Sequence, residues 1–112
     1  MKVAITGGVY GFKNKQEYIN YLNSRYSGKL NVVFANSVTN DIDVLVADGD
    51  TSSNKFKTAL KINEKYREQC IKNGVENIGS YEQGSLCRVG EKILITDSSN
   101  LINILDMYVT TI

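Results

Sequence analysis

The chain of 112 residues contains no histidine, which removes the commonest general base and the commonest metal ligand. Hydrolases built on Ser-His or Cys-His pairs are thereby excluded. Proline and tryptophan are also absent. Plentiful Asn, Lys, Ile and Tyr beside missing proline fits coding bias in an AT-rich genome and carries no functional message. Cysteine is confined to Cys70, inside a helical pattern, and Cys87, in an irregular stretch. That spacing does not form a zinc site. Neither a secretory signal nor an apolar run of membrane-spanning length is recognisable, so the expected setting is a reducing cytoplasm, with both thiols free and no membrane partner. Neither sign of charge predominates. Thirteen Lys plus Arg against twelve Asp plus Glu leave a formal charge of +1, so no whole-molecule field directs the protein onto nucleic acid. Any such affinity must come from local clusters, of which Lys13 with Lys15, and Lys55 with Lys57 and Lys61, are the candidates. Basic residues on a helix are otherwise a solvated face.

A hydrophobic content of 42% and a charged content of 22% are ordinary for a globular chain, and the length fits one domain spanning 1–112. Val3-Ala4-Ile5 is a short apolar run ending at Thr6-Gly7-Gly8, a buried strand delivering a hydroxyl and open backbone N–H groups at its carboxyl end. Asn14 with Glu17 resembles a capping box, and Tyr18, Ile19, Leu22 and Tyr26 then recur on one helical face until Ser27-Gly28. Leu30 to Phe34 reads as a second strand. Val44-Leu45-Val46-Ala47, apolar throughout, reads as a strand covered on both faces. Asp48 to Ser53 is a capping loop, and from Asn54 helical spacing persists to about Asn73-Gly74. Glu76 to Glu91, with three glycines and little periodicity, reads as a surface insertion or a small hairpin. Lys92 to Thr96 is expected as another buried strand, and Asp97-Ser98-Ser99 caps a last helix carrying Leu101, Ile104, Leu105 and Tyr108 on one face. The order β-α-β-β-α-β-α implies an α/β fold, a four-stranded, mainly parallel sheet flanked by three helices. Ligands of such sheets gather outside the carboxyl ends of the strands, where Thr6-Gly7 and Asp48-Gly49 both fall.

Thr6-Gly7-Gly8-Val9-Tyr10-Gly11-Phe12 resembles the opening of short-chain dehydrogenases. The chain is under half the length of such an enzyme, Lys13 stands where a further glycine belongs, and no tyrosine is followed four positions later by lysine. A G-x-x-x-x-G-K-[ST] phosphate loop is absent. The pairs Asp41 with Asp43 and Asp48 with Asp50 are weighed as Mg²⁺ ligands and assigned instead to turns.

Element order and motif together resemble a BRCT domain. The resemblance rests on Val3-Ala4-Ile5-Thr6-Gly7, an amphipathic helix, Gly28-Lys29-Leu30, then Asp43 to Gly49, Ser53-Asn54-Lys55-Phe56-Lys57-Thr58-Ala59 and Ile93 to Asp97. It covers nearly the whole chain outside Glu76 to Glu91, and is nearest to the BRCT modules of bacterial NAD-dependent DNA ligases and clamp-loader large subunits. Leu101 or Leu105 stands for the family's tryptophan in the last helix.

The resemblance implies a phosphate seat in which Thr6 donates its hydroxyl, Gly7 its backbone N–H, and Lys55 its charge. Charge-assisted bonds of this kind are the strong ones. Gly8, Tyr10, Lys13, Lys15 and Lys57 are implied as further DNA contacts, with Tyr10 and Phe12 able to stack on a base. No catalytic residue, metal or cofactor is implied. The expected function is a noncatalytic module of replication or repair that binds DNA, at 5′-phosphorylated ends or nicks, as an accessory part of a NAD-dependent ligase. A phosphopeptide reader, a phosphate-independent protein scaffold and a homodimer stand as alternatives. Thr6 and Lys55 are both expected to be exposed.

Overall fold

The structure, a computed structural model, describes residues 1–111, so the expected span 1–112 runs one residue beyond them. Its elements are β1 (Lys2–Thr6), α1 (Lys15–Arg25), β2 (Val33–Ala35), β3 (Val44–Ala47), α2 (Asn54–Lys72), β4 (Leu94–Thr96) and α3 (Ser98–Thr111). The four strands form one sheet in the order β2-β1-β3-β4, with every pair parallel. From β1 the chain moves outward to β2, and from β3 it moves outward the opposite way to β4. Right-handed crossovers then require the connecting helices on opposite faces. Residues of α1 and α3, among them Tyr18, Leu22, Leu101 and Leu105, pack on Val3, Ile5, Val44 and Val46. Ala59, Phe56 and Ile62 of α2 pack on Ala4 and Leu45. The two faces alternate residue by residue along β1 and β3, as a strand buried on both sides demands. Reversal of direction opens a crevice between β1 and β3 at their carboxyl ends. Thr6 and Ala47, paired in register, mark its floor.

Local chemistry sets the element ends. The Asn14 side chain accepts the Glu17 N–H at 2.9 Å and begins α1. Glu17 reaches back one residue further than in a regular capping box, accepting the Lys13 N–H. Gly28, at φ 79°, turns the chain out of α1 while Lys29 and Leu30 both donate to the Tyr26 carbonyl. Leu30 is thus tied to the turn that follows α1, and β2 starts at Val33, not at Leu30. Asn23 fixes this later start by bonding both the N–H and the carbonyl of Val32. Ser53 caps α2 by accepting the Phe56 N–H, and Asp97 caps α3 by accepting the Asn100 N–H.

The last strand departs from expectation. It is an edge strand whose residues Leu94 to Thr96 are only half-buried, because nothing pairs beyond it in the sheet order. Ile93, just before it, is the fully buried residue. Asn63 on α2 secures the entry, bonding the N–H groups of Lys92 and Ile93 and the Ile93 carbonyl. Residues 76–91 form an irregular excursion and not a hairpin. Gly79 and Ser80 exchange two backbone bonds with Val89, and Leu86 packs against the α1–α3 side of the core.

Candidate functional site

The crevice at the carboxyl end of β1 gathers three groups from separate elements. Thr6 closes β1, Lys15 opens α1 and Lys55 lies in the first turn of α2. Lys55 Nζ donates to the Ile5 carbonyl at 3.2 Å and Lys15 Nζ donates to the same oxygen at 3.4 Å. Two cations thus share one neutral acceptor. Burial first, and the neighbouring Lys15 charge second, push the Lys55 ammonium below the usual lysine range. Among the described residues the ion pairs are Lys2 with Asp41 and Arg25 with Asp106, so neither of these two lysines is matched by a carboxylate. Both also occupy helix N-termini, where a positive charge opposes the helix dipole. The first turn of α2 contains no acidic residue. Such an arrangement raises the local potential and favours an anion.

Thr6 is only 3% exposed, contrary to the expectation that it is open to solvent. Its hydroxyl lies 2.6 Å from Ser53 Oγ and 3.1 Å from Asp50 Oδ2. A carboxylate can only accept, so the single threonine proton is directed at Asp50 while the Ser53 hydroxyl closes the other contact. Gly7 follows at φ 74°, and a β-carbon there would come within 3.1 Å of Asp50 Cβ. The backbone conformation therefore favours glycine, and the space beside Asp50 is tight for any side chain. Asp50 and Ser53 are the members of the site that sequence reasoning did not place. Both were legible only as turn and cap residues of the Asp48 to Ser53 loop.

On one side of the crevice runs a groove of ≈ 610 Å³, within the roughly 300–1,000 Å³ usual for small-molecule sites. Gly7, Gly8, Tyr10, Phe12, Lys13, Lys15 and Phe34 border it. Phe12 is anchored to the core side, edge-on to Tyr18 with ring centres 5.0 Å apart. Tyr10 is 71% exposed, and its hydroxyl reaches over Gly49. Lys13 is exposed along the groove. Lys57 is also exposed, but lies roughly 200° around α2 from Lys55 at about 100° per residue. It therefore faces away from the crevice and is not a member of the site.

The other side is acidic. A smaller pocket of ≈ 300 Å³ is bordered by Tyr10, Asp48, Asp97 and Ser98. Asp48 is buried and accepts the Ser98 N–H, the Ser98 hydroxyl and the Tyr10 N–H. Burial pushes its carboxyl up, but these three donors outweigh that and hold it below the ordinary value. Asp41 pairs with Lys2, and Asp43 accepts the Lys2 N–H. The four aspartates weighed as metal ligands are thus occupied in protein contacts. Among the described residues no three His, Cys, Asp or Glu side chains group as a metal site, and no helix is long and apolar enough to cross a membrane. Comparison with family models, with curated proteins and with solved structures finds no match.

Proposed function

We propose that this protein is a noncatalytic phosphate-recognising module of BRCT type that binds DNA at 5′-phosphorylated ends or nicks. The observation carrying this reading is the convergence of the Lys15 and Lys55 ammoniums on the Ile5 carbonyl, beside the Thr6 hydroxyl and Gly7. Two under-paired cations at two helix N-termini, at the strand end that carries the Thr6 hydroxyl and Gly7, suit the acceptor-rich dianion of a phosphate monoester. These residues lie at the reversal point between β1 and β3, where ligands of parallel sheets collect, which supports the reading. A basic, aromatic groove leads away from it, which suits continuation into a nucleic acid strand.

The test compares nicked and recessed duplexes with and without a 5′-phosphate. Tighter binding of the phosphorylated forms is expected, and Lys55→Ala should abolish most of that preference, about tenfold or more, as for a lost charge-assisted contact. Equal affinity for both forms would remove end recognition. A phosphate-independent protein complex that survives Lys55→Ala would favour the scaffold reading instead.

A further inference from the structure

We infer that the groove between the β1–α1 loop and Phe34 is a nucleobase subsite, so that the preferred ligand is a 5′-phosphorylated strand whose terminal base is unstacked from its duplex. This rests on the phosphate reading above and adds the class of end that is recognised. The groove and the phosphate seat share Gly7 and Lys15, so whatever fills the groove must be continuous with the group held in the seat. Its border contains Lys13 and Lys15 and no aspartate or glutamate. The pocket on the opposite side of the crevice contains Asp48 and Asp97 and no lysine or arginine. A polyanionic strand leaving the seat is therefore directed one way only, along Lys13 and Lys15.

The groove's aromatic members have distinct parts. Phe12 is fixed by an edge contact with Tyr18 and a tilted contact with Tyr21. Phe34 projects from edge strand β2 and is only partly buried against the core. Tyr10 stands largely in solvent at the junction of both pockets. An apolar groove flanked by cations suits a flat, uncharged ring tethered to phosphate, and a base within a closed duplex could not enter it. Stacking on such side chains is worth about 1–3 kcal/mol per base.

The decisive experiment leaves the protein unchanged. Binding is measured by fluorescence anisotropy for three 5′-phosphorylated recessed ends, one with a paired terminal nucleotide, one with a mismatched terminal nucleotide, and one with an abasic 5′-terminal residue. The mismatched end is expected to bind best and the abasic end about tenfold more weakly than it, near the lower limit for a lost base stack. Phe34→Leu should weaken the mismatched end and leave the abasic end unaltered, a pattern that general destabilisation does not produce. If all three phosphorylated ends bind equally and better than an unphosphorylated end, the base subsite is overturned while the phosphate seat stands. If none exceeds the unphosphorylated control, the phosphate reading itself falls. Tighter binding of a phosphoserine peptide than of any of these ends would overturn the subsite in favour of a peptide side chain in the groove.

Discussion

At the crevice the Thr6 proton points to Asp50, 3.1 Å away, and a phosphate bound in the proposed seat would have to take that proton over. Asp50 would also repel a phosphate directly, because its carboxylate stands against Gly7. Asp50→Asn keeps the side-chain shape and removes the charge. It should tighten binding of a 5′-phosphorylated nick about tenfold, a modest fraction of the interaction of two like charges a few ångströms apart at partial exposure. Weaker binding, measured by titration calorimetry, would show instead that the carboxylate organises the loop for the ligand. The Lys55 ammonium gives a second expectation at this scale. Its folded value lies below the ordinary lysine value, and a bound anion favours the charged form, so binding takes up protons on the alkaline side. Affinity should fall as pH rises through the lowered value of Lys55, before an ordinary lysine would titrate. It should also fall below about pH 6, where a phosphate monoester dianion takes up a proton and becomes a monoanion. Lys55→Arg should move the alkaline limb to higher pH, because arginine does not titrate there.

Between elements, Asp48 is the joint that holds the crevice open. From the end of β3 it ties the β1–α1 loop through the Tyr10 N–H and the start of α3 through the Ser98 N–H and hydroxyl. Ser98→Ala removes one donor from a buried carboxylate and should destabilise the fold by about 1–3 kcal/mol, read as a lower denaturant midpoint at unchanged slope. The folded Asp48 carboxyl lies below its unfolded value. Its contribution is therefore fully present above about pH 4, the unfolded aspartate value, and is lost as pH falls through the lowered folded value. Asp48→Asn should remove that part of the acid transition. This joint was hidden in the sequence because Asp48 and Ser98 are separated by α2 and the excursion at 76–91, and only the sheet brings them together. What local chemistry governs was legible. Asn14 and Ser53 cap the helices they precede, and Val44 to Ala47 form the doubly covered strand. The misread elements were those decided by neighbours. Leu30 is held in the turn after α1 by its bond to Tyr26, and β4 is an edge because among the described residues it pairs with β3 alone. Lys15 and Lys55 were visible as cations near helix starts, but their shared carbonyl depends on α1 and α2 flanking β1 from opposite faces.

Over the whole molecule the formal charge is +1, so the proposed seat would attract an anion without a general field to help it. Basic side chains are nonetheless numerous on the outer face of α2, where Lys57, Lys61 and Lys65 recur at a helical spacing and stand exposed. Lys57 and Lys61 lie well around the helix from Lys55, and Glu64 and Glu68 lie among these lysines, which is the pattern of a solvated face. Salt dependence separates the two surfaces. Engagement through Lys15 and Lys55, with Lys13 along the groove, neutralises two or three phosphate charges and should give a slope of log affinity against log salt of about −2 to −3. Reversing Lys57 and Lys61 together to glutamate should leave that slope nearly unchanged, whereas Lys15→Ala should reduce it by about one. A wild-type slope steeper than about −5, made shallow by the α2 reversals, would place DNA on the wrong face of the molecule for the seat to meet a strand end.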